Sequence, residues 1–112
     1  MLMANVRQEL KALVARILDG PGEASAAQRR AAFDNAGLAE PLRALIDKVA
    51  KHAFRVTDQD IAAARASGLG EDQIFELVVC GAIGQATRQY DAALAALDAA
   101  MKGNGHAPRD PR

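Results

Sequence analysis

The sequence has 112 residues, in which 14 Lys and Arg residues balance 14 Asp and Glu residues. A chain of this length forms one domain with a single core. Because no surplus of positive charge is available to displace counterions from phosphates, the composition disfavours nucleic-acid binding. Half of the residues are hydrophobic but only 4% are aromatic, so we expect closely packed helices.

A single cysteine, Cys80, leaves no partner for an intrachain disulfide. Charged residues, among them Arg7, Glu9 and Lys11, interrupt the first apolar segment, which therefore resembles neither a secretory signal nor a membrane span. We expect a soluble, cytoplasmic protein that does not act at a membrane.

The first half of the chain predicts three helices. Apolar residues at helical spacing mark the first, which ends at Gly20-Pro21-Gly22: Val6, Leu10, Leu13, Val14 and Ile17. Ser25 is a candidate N-cap for the second helix, and Phe33 is its main apolar side chain. We expect Gly37 to close this helix in the left-handed conformation. Pro41 suits the first turn of the third, which we expect to continue to about Arg55. Its predicted buried face contains Leu42, Leu45, Ile46 and Val49.

A fourth helix is predicted to begin at Thr57, which with Asp60 comes close to a capping box, and to stop at Gly68. From Glu71 the pattern is helical for about thirty residues, with two apolar faces. One face comprises Ile74, Leu77, Val78 and Gly81; the other comprises Val79, Ile83, Ala86, Tyr90, Leu94, Leu97 and Met101. We expect another subunit to cover the second face, with Gly81, Gly84 and the alanines allowing close approach. The predicted domain covers residues 1–102, and residues 103–112 form a disordered tail.

The segment ARASGLGEDQIFEL, residues 64–77, precedes a helix rich in small residues that continues to Leu97. From Pro41 onward the chain resembles the AhpD-like superfamily, the relatives of alkylhydroperoxidase D and carboxymuconolactone decarboxylase. The resemblance implies an all-α, single-domain fold of about five helices with a long Ala-rich C-terminal helix. We also expect a homo-oligomer, assembled through the long helix and the exposed side of the helical hairpin of residues 56–101. Trimers and hexamers are familiar among relatives in the superfamily.

Peroxidatic members of that superfamily carry a C-x-x-C-x-x-x-H motif just before the glycine turn. The resemblance places these positions at Ala53, Val56 and Asp60, so both thiols and the imidazole are absent. A glutamate that the family has upstream falls near Glu40 or Pro41. The resemblance therefore implies a member of the superfamily that has lost the redox cysteine pair.

Three residues remain as weak catalytic candidates. Cys80 could act as a one-cysteine peroxidatic nucleophile, although a buried apolar filler is the simpler interpretation. His52 and Glu40 could transfer protons in a decarboxylase-type reaction, although His52 is more simply a surface residue. Arg88 and Tyr90 could line a site, although we expect Tyr90 to be packed with its hydroxyl bonded to a polar partner. No metal-ligand spacing and no cofactor motif is recognisable.

A helix–turn–helix interpretation uses Ala64, Gly68 and Ile74, but its second helix would present Glu71 and Asp72 to phosphates. The sequence therefore favours a non-peroxidatic oligomer with a structural or small-ligand-binding role, and no nucleic-acid partner. The alternative is a peroxidase or a decarboxylase-type enzyme that uses the weak candidates named above.

Overall fold

The computed structural model describes residues 2–104, which form five α-helices and, within that range, no strand. The helices are α1 (Leu2–Asp19), α2 (Ala26–Asp34), α3 (Leu42–His52), α4 (Asp58–Ala66) and α5 (Glu71–Asn104), with a short 3₁₀ turn at Ala53–Arg55. The all-α fold with one long C-terminal helix is thus confirmed. None of these helices is long and apolar enough to cross a membrane.

The core lies where α2, α3 and the first half of α5 meet. Its buried apolar side chains are Leu18, Ala24, Ala32, Phe33, Leu42, Leu45, Ile46, Ala64, Ile74, Leu77 and Cys80. The predicted inner face of α5 is confirmed at Ile74, Leu77 and Gly81, while Val78 is half-buried. Packing of such side chains supplies most of the stability of helices that would be marginal in isolation.

Gly81 and Gly84 have a different role from the one predicted. A Cβ added to Gly81 would lie 3.0 Å from Ile46 Cγ2 of α3, and one added to Gly84 would overlap the backbone of Phe33 in α2. The two glycines therefore let helices of the same chain approach α5. The expectation that they serve contact with another subunit is wrong.

Local capping explains where α2 begins and ends. Ser25 accepts a hydrogen bond from Gln28 N at 3.0 Å, which confirms the predicted N-cap. The left-handed residue that closes α2 is Asn35, with φ 52°, and not Gly37 as predicted. Asparagine tolerates this conformation, and Asn35 is held there because its Nδ2 donates to Asp47 Oδ1 of α3 at 3.0 Å. Gly37 also has positive φ, two residues farther along the loop.

The third helix is shorter than predicted. It ends at His52, whose φ of −148° and ψ of 60° are not helical, and Ala53–Arg55 tighten into the 3₁₀ turn. Thr57 then starts α4 with both halves of the capping box: Asp60 N donates to Thr57 Oγ1, and Thr57 N donates to Asp60 Oδ2. Gly68, with φ 105°, follows the end of α4 as predicted.

The first helix reaches the core through only part of its length. Leu18, which lies outside the predicted apolar stripe, is 3% exposed, whereas Val6 and Leu13 are 39% and 36% exposed. Val14 packs against the edge of the core. Helix α1 therefore meets the core mainly near its C-terminal end.

The C-terminal half of α5 extends past the core alongside α1. The two helices are antiparallel, since the Ile17 carbonyl lies 3.9 Å from Cys80 Sγ, while Arg7 and Met101 line the same groove. The described residues have a radius of gyration of 17.9 Å and measure 58 × 31 × 21 Å. Helix α5 continues to Asn104, two residues beyond the predicted domain boundary, and the rest of the predicted tail lies outside the described residues.

Candidate functional site

The resemblance assigns the redox motif to Ala53 and Val56, on the segment that joins α3 to α4, and to Asp60, in the first turn of α4. Ala53 is exposed in the 3₁₀ turn, and Val56 is half-buried against the core. The Asp60 carboxylate accepts a hydrogen bond from Thr57 N in the capping box. It also accepts hydrogen bonds from Lys48 Nζ at 3.0 and 2.9 Å. The hydrogen bond from Lys48 holds the pKa of Asp60 below its usual range. Asp60 therefore joins α4 to α3 as a carboxylate that is ionised at neutral pH.

The two weak proton-transfer candidates are surface residues. His52 is exposed, and its ring meets the Phe54 ring edge-on at a centroid distance of 6.0 Å. Glu40 is exposed, accepts from Ala44 N at 3.2 Å and pairs with Arg43 at 3.6 Å. These contacts give Glu40 a structural role at the start of α3.

Cys80 is enclosed in the core. Its side chain is 1% exposed, and burial raises the pKa of the thiol. Its Sγ lies 3.9 Å from the carbonyl oxygen of Ile17. A thiol that stays protonated and enclosed is a poor nucleophile, which matches the interpretation of Cys80 as a small apolar filler.

Cys80 forms part of the wall of a cleft of about 250 Å³ between α1 and α5, here called the Arg29 cleft. Its lining residues are Leu13, Arg16, Ile17, Pro21, Arg29, Phe75, Glu76, Val79 and Cys80. Most of these side chains are apolar, and three are charged. A concave apolar site with a few convergent polar groups is the usual form of a small-molecule site.

Arg29 is a buried cation that the sequence analysis missed. Its side chain is only 7% exposed, and Nη1 donates to the carbonyl oxygens of Gly20 at 2.7 Å and Ile17 at 3.2 Å. These bonds satisfy carbonyls at the C-terminal end of α1, where positive charge is favourable. The spacing of Arg29 with Ala32 and Phe33 on one face of α2 was the signal that could have revealed it.

The opposite edge of the guanidinium makes no hydrogen bond among the described residues. Arg29 Nε is buried and has no hydrogen-bond partner among the described residues, and the only bonds the structure shows for this side chain are made by Nη1. Buried nitrogen donors usually have partners. This orphan donor distinguishes the Arg29 cleft from an ordinary packing defect.

Glu76 closes the cleft on the α5 side. Its two carboxylate oxygens accept from the backbone N–H groups of Glu23 and Ala24, each at 2.8 Å. These two bonds, with a smaller effect from the positive charge of Arg29, lower the pKa of Glu76. The carboxylate thereby fixes the loop between α1 and α2 onto α5.

A second concave surface, the α1–α5 groove, has a volume of about 1010 Å³. Its lining residues are Arg7, Leu10, Lys11, Val14, Ala15, Leu18, Asp19, Arg30, Thr87, Tyr90, Asp91, Leu94, Ala95, Leu97, Asp98 and Met101. Near its open end, Arg7 and Lys11 lie on α1, whereas Asp91 and Asp98 lie on α5. The groove therefore has an apolar floor between a basic edge, Arg7 and Lys11, and an acidic edge, Asp91 and Asp98. Asp98 is also paired with Lys102 at 3.3 Å, and Asp19 adds an acidic group on the α1 side.

This groove contains much of the predicted outer face of α5. Tyr90 and Leu94 are half-buried, whereas Leu97 and Met101 are 53% and 64% exposed. The Tyr90 hydroxyl is buried without a hydrogen-bond partner among the described residues, so the prediction that it finds one is wrong. Arg88 does not line the groove; its Nη1 donates to the Phe33 carbonyl at 2.7 Å.

Within residues 2–104 no three His, Cys, Asp or Glu side chains are grouped closely enough to hold a metal ion. The chain matches no protein-family model, no curated protein and no solved structure. The Arg29 cleft and the α1–α5 groove are concave surfaces with the shape and chemistry to take a ligand or a partner.

Proposed function

We propose that the protein is a non-peroxidatic, AhpD-like structural subunit that assembles into homo-oligomers by covering its α1–α5 groove with a second copy. The observation that carries this proposal is the exposed apolar floor of the groove. Leu97 and Met101 remain 53% and 64% exposed on the half of α5 that extends past the core. An apolar groove rimmed by charged side chains has the form of an interaction site.

The charges around the floor favour a second copy of the same chain as the occupant. Arg7 and Lys11 form the basic edge on α1, and Asp91 and Asp98 form the acidic edge on α5. In a symmetric assembly each copy supplies both edges, so the basic edge of one copy meets the acidic edge of the next. The same arrangement serves a closed ring, including the trimers and hexamers that the superfamily resemblance implies.

The positions of the weak catalytic candidates support a role without peroxidase chemistry. Cys80 is enclosed and its thiol is kept protonated, and Asp60 is committed to Lys48 and Thr57. The C-x-x-C-x-x-x-H chemistry requires a reactive thiolate with a resolving thiol. Neither is provided by Ala53 or Val56, which hold the motif positions.

Light scattering coupled to size-exclusion chromatography, over a range of protein concentrations, tests the assembly. We expect the wild type to be oligomeric and Leu97→Lys to shift towards the monomer, because a charge on the apolar floor must be desolvated when a second copy binds. Ala96→Lys is the matched control: it adds the same charge to an exposed neighbour on α5 outside the groove. It should assemble like the wild type.

Circular dichroism must show equal helix content in both variants, so that a shift reports assembly and not unfolding. A wild-type chain that stays monomeric at its highest soluble concentration contradicts the proposal. Equal effects of Leu97→Lys and Ala96→Lys would also contradict it, because the groove would then not be the contact.

A further inference from the structure

We propose that the Arg29 cleft is a binding site for a small monocarboxylate with an apolar body, held by the free edge of the Arg29 guanidinium. This inference goes beyond the proposed assembly and does not rest on it, since the cleft and the α1–α5 groove are different surfaces. The site joins a buried donor without a partner to an apolar wall.

The geometry of Arg29 selects the head group. Nη1 is committed to the Ile17 and Gly20 carbonyls, which fixes the plane of the guanidinium. The remaining edge, formed by Nε and Nη2, has the two-donor spacing that matches the two oxygens of a carboxylate. Because Nε is enclosed, the ligand reaches both donors when side chains of the cleft wall shift. A carboxylate bound there would supply the partner that buried Nε lacks.

The charge of the cleft favours an anion over a cation. Arg29 and Arg16 contribute two positive charges, and Glu76 contributes one negative charge. Both oxygens of Glu76 are already engaged by the backbone N–H groups of Glu23 and Ala24. The cleft thus presents one net positive charge, which a monoanion neutralises.

The remaining walls set the size and polarity of the ligand. Apolar surface around the guanidinium comes from Leu13, Ile17, Val79 and Phe75, and Phe75 is 69% exposed. The cleft volume is about 250 Å³; an apolar cavity of about 150 Å³ holds a benzene ring. A carboxylate on a body of six or seven carbons therefore fits, and benzoate is a suitable probe.

NMR titration of the full chain with sodium benzoate tests the site. We expect saturable amide shifts at Val79 and Cys80, and little response to benzamide, which has the same shape without the charge. Phe75→Ala removes an exposed apolar wall and should weaken benzoate binding by about threefold to tenfold. Phe54→Ala is the matched control, because Phe54 is 83% exposed and lies outside the cleft.

Arg29→Lys keeps the positive charge but removes the two-donor edge, so binding should weaken by about tenfold or more. If that variant does not fold, the two phenylalanine variants and the benzoate–benzamide pair still decide the question. Absence of saturable shifts in the wild type overturns the proposal. Equal binding of benzamide, or equal effects of the two phenylalanine variants, also overturns it, whatever the oligomeric state of the protein.

Discussion

Gly84 of α5 packs directly against the backbone of Phe33 in α2. A Cβ at position 84 would lie 2.7 Å from the Phe33 carbonyl carbon and would overlap its oxygen. That oxygen also accepts a hydrogen bond from Arg88 Nη1, one turn farther along α5, at 2.7 Å. The C-terminal end of α2 is therefore fixed to α5 in two ways: Gly84 permits close contact, and Arg88 donates a hydrogen bond to the Phe33 carbonyl.

Gly84→Ala is expected to lower the free energy of unfolding by about 1–3 kcal/mol, after subtraction of the roughly 1 kcal/mol that alanine gains in helix propensity. The loss is large because the obstructing atoms belong to the backbone of Phe33, which cannot rotate away. Urea denaturation followed by circular dichroism measures the change.

Gly103→Ala on the same helix is the matched control. A Cβ at position 103 meets nothing within 4 Å, so alanine there should leave stability unchanged or raise it slightly. Equal stability of the two variants would show that α2 does not approach α5 closely at Gly84.

The sequence predicted those parts of the fold that depend on neighbouring residues. Ser25, Thr57 and Asp60 cap helices through bonds that span three residues, so their roles are visible in the local pattern. The periodic apolar residues of α5 located its inner face for the same reason. Local sequence is therefore sufficient to locate these features.

The errors arose where a distant residue decides the outcome. Asn35 closes α2 because Asp47 of α3 holds its side chain, and this partner is twelve residues away. Arg29 is buried because it reaches the carbonyl of Gly20 in the preceding loop. A periodicity analysis that counts arginine only as a surface residue misses such a cation, and with it the candidate cleft.

The contribution of Glu76 to the stability of the fold should depend on pH. Its carboxylate accepts two backbone hydrogen bonds, which lower its pKa from the ordinary value of 4.5. The folded state therefore binds a proton less readily than the unfolded chain. The stabilisation is complete above about pH 4.5 and is lost as the pH falls through the lower pKa of the folded state.

Glu76→Gln is expected to lower the free energy of unfolding by about 1 kcal/mol at pH 7. This value is near the low end for charge-assisted hydrogen bonds because the carboxylate is partly exposed to solvent. Urea denaturation at a series of pH values should show a constant difference from the wild type down to about pH 4.5, and a shrinking difference below it. Glu9→Gln, at an exposed position of α1, is the control for removing a carboxylate. A difference that grows on acidification would contradict the assignment.

Cys80 should behave as an inert thiol in the folded protein. It is 1% exposed and burial raises its pKa, so little thiolate forms at neutral pH and a reagent must wait for the core to open. We expect slow modification by Ellman's reagent in native buffer and a steep increase in rate across the urea unfolding transition. Hydroperoxide consumption should be the same for the wild type and Cys80→Ser. A native thiol that reacts as fast as the unfolded one, or turnover that disappears in Cys80→Ser, would restore the one-cysteine peroxidase and remove the non-peroxidatic role proposed for the protein.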